Sequence, residues 1–191
     1  MAEGGVRDYH QAKLKAAERL GIHDDASLPR NREIDEALRE YQRLFQGEAQ
    51  SDALRERREA ALQALEFFAS FQPRLVGRVL EGTADALTPV TLHLHADDAD
   101  EVAHFLADAG IPAEASARRL RLDRERGLDA PVWTFSADGL AFDLTVLPLD
   151  TLRQAPLSAL DERPMARASA HQLRALLAAE EAEAYAAAGG R

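Results

Sequence analysis

PVWTFSADGLAFDLTVLP, residues 131–148, decides how the chain is read. Residues 131–136 and 140–147 are two β-rich runs, and Asp138-Gly139 stands between them. Asp-Gly between such runs favours the tight turn whose central residues take positive φ, so the stretch predicts a β-hairpin. Pro148 ends the second strand, because proline has no N–H to give to a ladder. Within that strand one carboxylate, Asp143, interrupts an apolar run. A carboxylate there is costly unless it is paired, hydrogen-bonded or solvated. Alternation places it with Ala141 and Thr145, opposite Phe142, Leu144 and Val146.

Upstream, residues 90–95 (VTLHLH) alternate strictly, with Val90, Leu92 and Leu94 on one face and Thr91, His93 and His95 on the other. Asp98 and Glu101 have the spacing of a helix start, and Gly110 provides the stop. Residues 74–81 (RLVGRVLE) are read as a strand ended by Gly82, and residues 117–122 as a further short strand or part of a loop. The arginines at 118, 119, 121, 124 and 126 lie among Asp123, Glu125 and Asp129 and are read as an exposed, self-neutralised run. Asp97, Asp98, Asp100 and Glu101 belong to the helix start, where negative charge is favoured.

Before the strands the period is helical. Residues 7–20 read as one helix and residues 31–47 as a second, with Ile34, Ala37, Leu38, Tyr41, Leu44 and Phe45 as its stripe. A third helix opens at Ser51 and turns Leu54, Ala61, Leu62, Leu65 and Phe68 inward until Pro73. Phe67, Phe68, Phe71 and Trp133 are expected in the core. After Asp150 the chain reads as loops, then as an alanine-rich helix from Ser169. The expected fold class is α+β, with N-terminal helices packed on a small mixed sheet. The expected segments are 1–72 helical, 73–150 sheet, and 151–191 C-terminal loops and helix.

Composition narrows the function classes. The formal net charge is -10, from 33 acidic and 23 basic residues, which disfavours a bulk grip on nucleic acid. No apolar run approaches the ~20 residues of a bilayer span. Met1–Asp8 lacks a signal-like apolar stretch, and the chain has no cysteine, which excludes disulfides and thiolate metal sites. These features lead us to expect a cytoplasmic protein.

The order of a strand ending in Gly82-Thr83, a second strand and helix, and a hairpin whose last strand carries Asp143 resembles the DNA polymerase β-like nucleotidyltransferase superfamily. The resemblance spans about residues 74–150 and implies nucleotidyltransferase-like topology. In that family a Gly-Ser pair contacts the triphosphate. Paired aspartates on the second strand and a third acid on a later strand hold two metal ions, usually magnesium. Two hard cations stabilise the attacking and leaving oxygens of a transferred phosphoryl group, and they require carboxylate oxygens. The resemblance places Gly82 and Thr83 at the nucleotide and Asp143 at the third acid, as a catalytic metal ligand for magnesium or manganese. The places of the paired aspartates fall at Pro89 and Thr91, or at Thr91 and His93, and neither choice supplies a carboxylate. The chain is therefore read as a degenerate member, a nucleotide- or phosphate-binding pseudoenzyme.

Two other readings stand beside it. His93 and His95 have His-x-His spacing and, with Asp143, are candidate ligands of a transition metal. Alternatively the N-terminal helices bind a protein partner, and the sheet is scaffold.

Overall fold

A computed structural model describes residue 33, residues 47–123, 125–158 and 161–189. The chain divides into two compact units, Met1–Ser51 and Asp52–Arg191. The helices read over 7–20 and 31–47 lie outside the described residues, apart from Glu33, which is helical.

The described elements are α1 (Gly47–Phe67), β1 (Arg74–Val76), α2 (Arg78–Glu81), β2 (Val90–His95), α3 (Ala99–Asp108), β3 (Glu114–Arg121), β4 (Gly127–Ala137), β5 (Leu140–Leu147) and α4 (Ala170–Gly189). Short 3-10 turns cover Ala69–Phe71 and Leu149–Leu152. The strands form one five-stranded mixed sheet in the order β1-β2-β5-β4-β3. Only β2 and β5 run parallel, and the other neighbours are antiparallel. The α+β class expected from the sequence is the class observed. Among the described helices none is long and apolar enough to cross a membrane.

The hairpin forms where Asp138-Gly139 predicts it. Both turn residues take positive φ, 51° and 79°. This backbone twist matches that of the two strands it joins. α1 begins ahead of Ser51 and buries Ala61, Ala64 and Leu65, with Phe68 buried just beyond its end. Their spacing puts them on one face, which packs against Leu75, Leu92, Leu94 and Leu144 of the sheet. Phe71 is buried as expected and Trp133 packs partly buried against the core, whereas Phe67 is 48% exposed and rests edge-on against Phe68 and Phe105 at the core margin. α3 starts at Asp98, whose carboxylate accepts from Asp100 N at 2.9 Å, one residue short of the Glu101 bond expected from the spacing. α4 starts with a reciprocal cap: Ser169 N donates to Gln172 Oε1, and Gln172 N donates to Ser169 Oγ.

Two expectations are corrected. The strand read over 74–81 stops at Val76. Gly77 takes φ 71°, Arg78–Glu81 wind into one helical turn, and Gly82 closes the turn at φ 79°. Apolar residues at 75, 76, 79 and 80 suit either structure, and a buried arginine settles it. Arg58 of α1, 3% exposed, donates to Val79 O and Leu80 O, the carbonyls that a short helix leaves orphaned. Second, the short strand read over 117–122 starts earlier, at Glu114, and is the edge strand β3, paired with β4 along its length. Its charged, largely exposed side chains suit an edge, where charge discourages pairing with another chain.

Candidate functional site

Alternation and register bring one set of side chains to the sheet face opposite the helical core. Thr91, His93 and His95 of β2 stand beside Asp143, Thr145 and Leu147 of β5. On the other flank of β2, Arg74 stands opposite His93 and Val76 opposite Thr91. On the other flank of β5, Val132 is opposite Thr145 and Thr134 is opposite Asp143.

The polar residues of this face are inside the protein. His93 and His95 are each 2% exposed, Thr145 is fully buried and Asp143 is 9% exposed. An alternating strand commonly turns its polar face to water, and here that face is covered instead. The cover involves residues 148–158 and 161–168, beginning with the 3-10 turn Leu149–Leu152. Thr151 and Ala155 of that segment are buried. Leu157 N donates to Arg121 O at the β3 edge, and Ala168 forms a two-bond bridge with Leu75 at the β1 edge. Arg167 ties back to the Leu149–Leu152 turn by donating to Thr151 O at 2.9 Å and Leu152 O at 3.1 Å.

Asp143 has a specific partner. Arg118 reaches from β3 across β4 and grips both carboxylate oxygens, at 2.6 Å from Nη2 and 3.2 Å from Nη1. Its Nη1 also donates to Thr145 Oγ1 at 3.3 Å. The fork geometry of the guanidinium suits a carboxylate, and the pair answers the desolvation cost of the acid.

Both histidines are neutral at pH 7. His93 is lowered to about 3 by burial first, then by His95, Arg167 and Arg118. His95 is lowered to about 4, chiefly by burial and despite its bond to Gln72. His95 Nδ1 lies 2.9 Å from Gln72 O. A carbonyl only accepts, so Nδ1 carries the proton and Nε2 the lone pair. That Nε2, and His93 Nδ1, are buried without a hydrogen-bond partner.

Gly82 and Thr83 follow α2 in a loop that arginines hold. A Cβ on Gly82 would stand 3.5 Å from Arg58 Nη2, and Arg78 donates to Thr83 O at 2.7 Å. Arg57 of α1, 5% exposed, donates to Ala86 O and Thr88 O further along. Thr83 itself is 5% exposed, so the structure presents little of it to a ligand.

Among the described residues no three His, Asp or Glu side chains are grouped to hold a metal ion. His93 and His95 share a face with Asp143, but the register puts Asp143 beside Thr91, and Arg118 occupies its oxygens. Sequence reasoning missed three arginines that define this face: Arg118, Arg74 and Arg167. An acid inside an apolar strand demands a cation, but nothing local singles out Arg118 from the run that contains it.

No known protein family, curated protein or solved structure matches the chain.

Proposed function

We propose that this chain is a nucleotidyltransferase-like protein of the polymerase β type that binds a nucleotide or another phosphate compound and lacks the two-metal transfer step. One observation carries the reading. Asp143 stands beside Thr91 on parallel neighbouring strands, as a third acid must if it is to share cations with acids on the second strand. Yet the acid positions fall at Pro89 and Thr91 or at Thr91 and His93, neither of which supplies a carboxylate, and Arg118 already bonds Asp143. Two divalent cations need several carboxylate oxygens, and an arginine salt-bridged to the one acid opposes them. What replaces the carboxylates is positive or neutral, so the face suits an anion without an accompanying metal.

The test is a thermal-shift screen of nucleoside triphosphates, with magnesium or manganese and with chelator. At 100 times its dissociation constant a ligand stabilises the fold by about 2.7 kcal/mol. For a chain of this size that raises the melting point by roughly 5–11 °C. The expected shift is present in chelator. A shift that requires magnesium or manganese would overturn the loss of the metal site. Absence of any shift would overturn nucleotide binding.

A protein-interaction reading has its own support on the opposite side of the sheet. An apolar groove of about 310 Å³ lies between α1 and the hairpin, lined by Phe67, Phe68, Ile111, Phe135 and Phe142 among others. Pull-down of a stable partner together with a nucleotide-independent melting point would favour that reading.

A further inference from the structure

The antiparallel bridge between Leu75 and Ala168 sets two arginines on the same face of the sheet. In that pairing Arg167 falls opposite Val76, next to Arg74 along the strand, and Arg74 is opposite His93. Both arginines are partly buried. Among the described residues neither forms an ion pair with a carboxylate, although the chain carries ten more negative than positive charges. The acid of this face, Asp143, is already bonded to Arg118. Two like charges placed together oppose folding, so a counter-charge bound between them would be favourable.

Their hydrogen bonds leave capacity for one. A guanidinium has five N–H donors. Arg167 uses one from each terminal nitrogen on Thr151 O and Leu152 O, and Arg74 uses Nη1 alone on Gln72 O and Pro73 O. Three donors on each remain. Between them and Arg118 stands His93, buried, with Nδ1 unpartnered. The carbonyl bonds fix both guanidiniums in place, so little side-chain entropy is lost when an anion arrives.

We propose that Arg74 and Arg167, standing over the buried His93, form a metal-independent oxyanion subsite that takes the phosphate chain of a nucleotide. The proposal rests on the nucleotide-binding reading above and names the part of the site that grips the phosphates. Guanidinium pairs bind phosphate oxygens bidentately, and a neutral imidazole beneath them adds no competing negative charge. Gly82 and Thr83 are not needed for this grip.

The experiment is isothermal titration of the full chain, in chelator, with inorganic tripolyphosphate and with each nucleoside triphosphate. Tripolyphosphate is expected to bind the wild type, and Arg74→Gln and Arg167→Gln each to weaken it tenfold or more. Arg74→Lys, which keeps the charge, is expected to lose less than Arg74→Gln. Arg167 also holds residues 148–168, so if Arg167→Gln fails to fold, Arg74→Gln decides, its bonds being local. No saturable tripolyphosphate binding, or full affinity in Arg74→Gln, would overturn the subsite. Nucleotide binding that survives unchanged in Arg74→Gln would overturn the subsite and leave the nucleotide reading standing. Arg74-dependent binding of tripolyphosphate, with no nucleotide binding more tightly, would keep the subsite and overturn the nucleotide reading.

Discussion

Acidification from pH 7.5 to 5.0 should remove a large share of this protein's stability, and two residues should account for it. His93 and His95 ionise near 6.5 in an unfolded chain and at about 3 and about 4 in the folded one. Above pH 6.5 both states hold them neutral, and stability does not depend on them. Below it the unfolded chain takes up two protons that the folded chain refuses, so stability falls as pH falls, until the folded values are reached. At pH 5.0, 1.5 units below the unfolded value, each histidine contributes a loss of about 2 kcal/mol and the pair about 4 kcal/mol. That is a large part of the 5–15 kcal/mol typical of a domain. Ordinary carboxylates stay ionised across this window, so they do not obscure it. Urea denaturation at the two pH values is the assay. With a slope of about 2 kcal/mol per molar, the midpoint should fall by about 2 M. His93→Gln/His95→Gln should abolish most of that difference, whatever its absolute stability. A wild-type loss below about 1 kcal/mol, or an equal loss in the double variant, would refute the reasoning.

Three further outcomes are expected. Arg118→Met strands a buried carboxylate; because the arginine side chain is itself 41% exposed, the cost should be about 1–3 kcal/mol, less than for a fully buried pair. Denaturant curves should show that adding Asp143→Leu to Arg118→Met recovers most of it. Gly139→Ala puts a methyl into open space but at φ 79°, so strain alone should cost about 1–2 kcal/mol and lower the melting point by roughly 2–8 °C. Ser169→Ala removes the hydroxyl that caps α4 and should cost about 0.5–2 kcal/mol in thermal unfolding, while Ser169→Asp should cost little.

Local chemistry made the hairpin legible. Asp138-Gly139 demands a turn of one kind, and alternation on either side assigns each residue to a face. Alternation also grouped Thr91, His93 and His95 correctly, but it says which residues share a face and not what covers them. The cover involves residues 148–158 and 161–168, which lie far along the chain from β2, so nothing in β2 itself announces that the histidines are almost fully buried. Over residues 74–81 two structures satisfy the same apolar pattern, and the choice depends on a guanidinium from α1. Asp143 announced that it needed a partner, while Arg118 stood in a run of arginines with similar neighbours. Strand pairing across β4 selects Arg118, and no short window of sequence contains that pairing.

Residues 148–168 carry a consequence beyond covering the histidines. The segment is tied to β3 through Leu157 and to β1 through Ala168, the two outermost strands of the sheet. One connection therefore occupies hydrogen-bonding groups at both borders, where an unguarded sheet would recruit strands from neighbouring molecules. Between the ties Ser158 N donates to Arg163 O and Met165 N to Pro156 O, so the guard at one border is braced by the guard at the other.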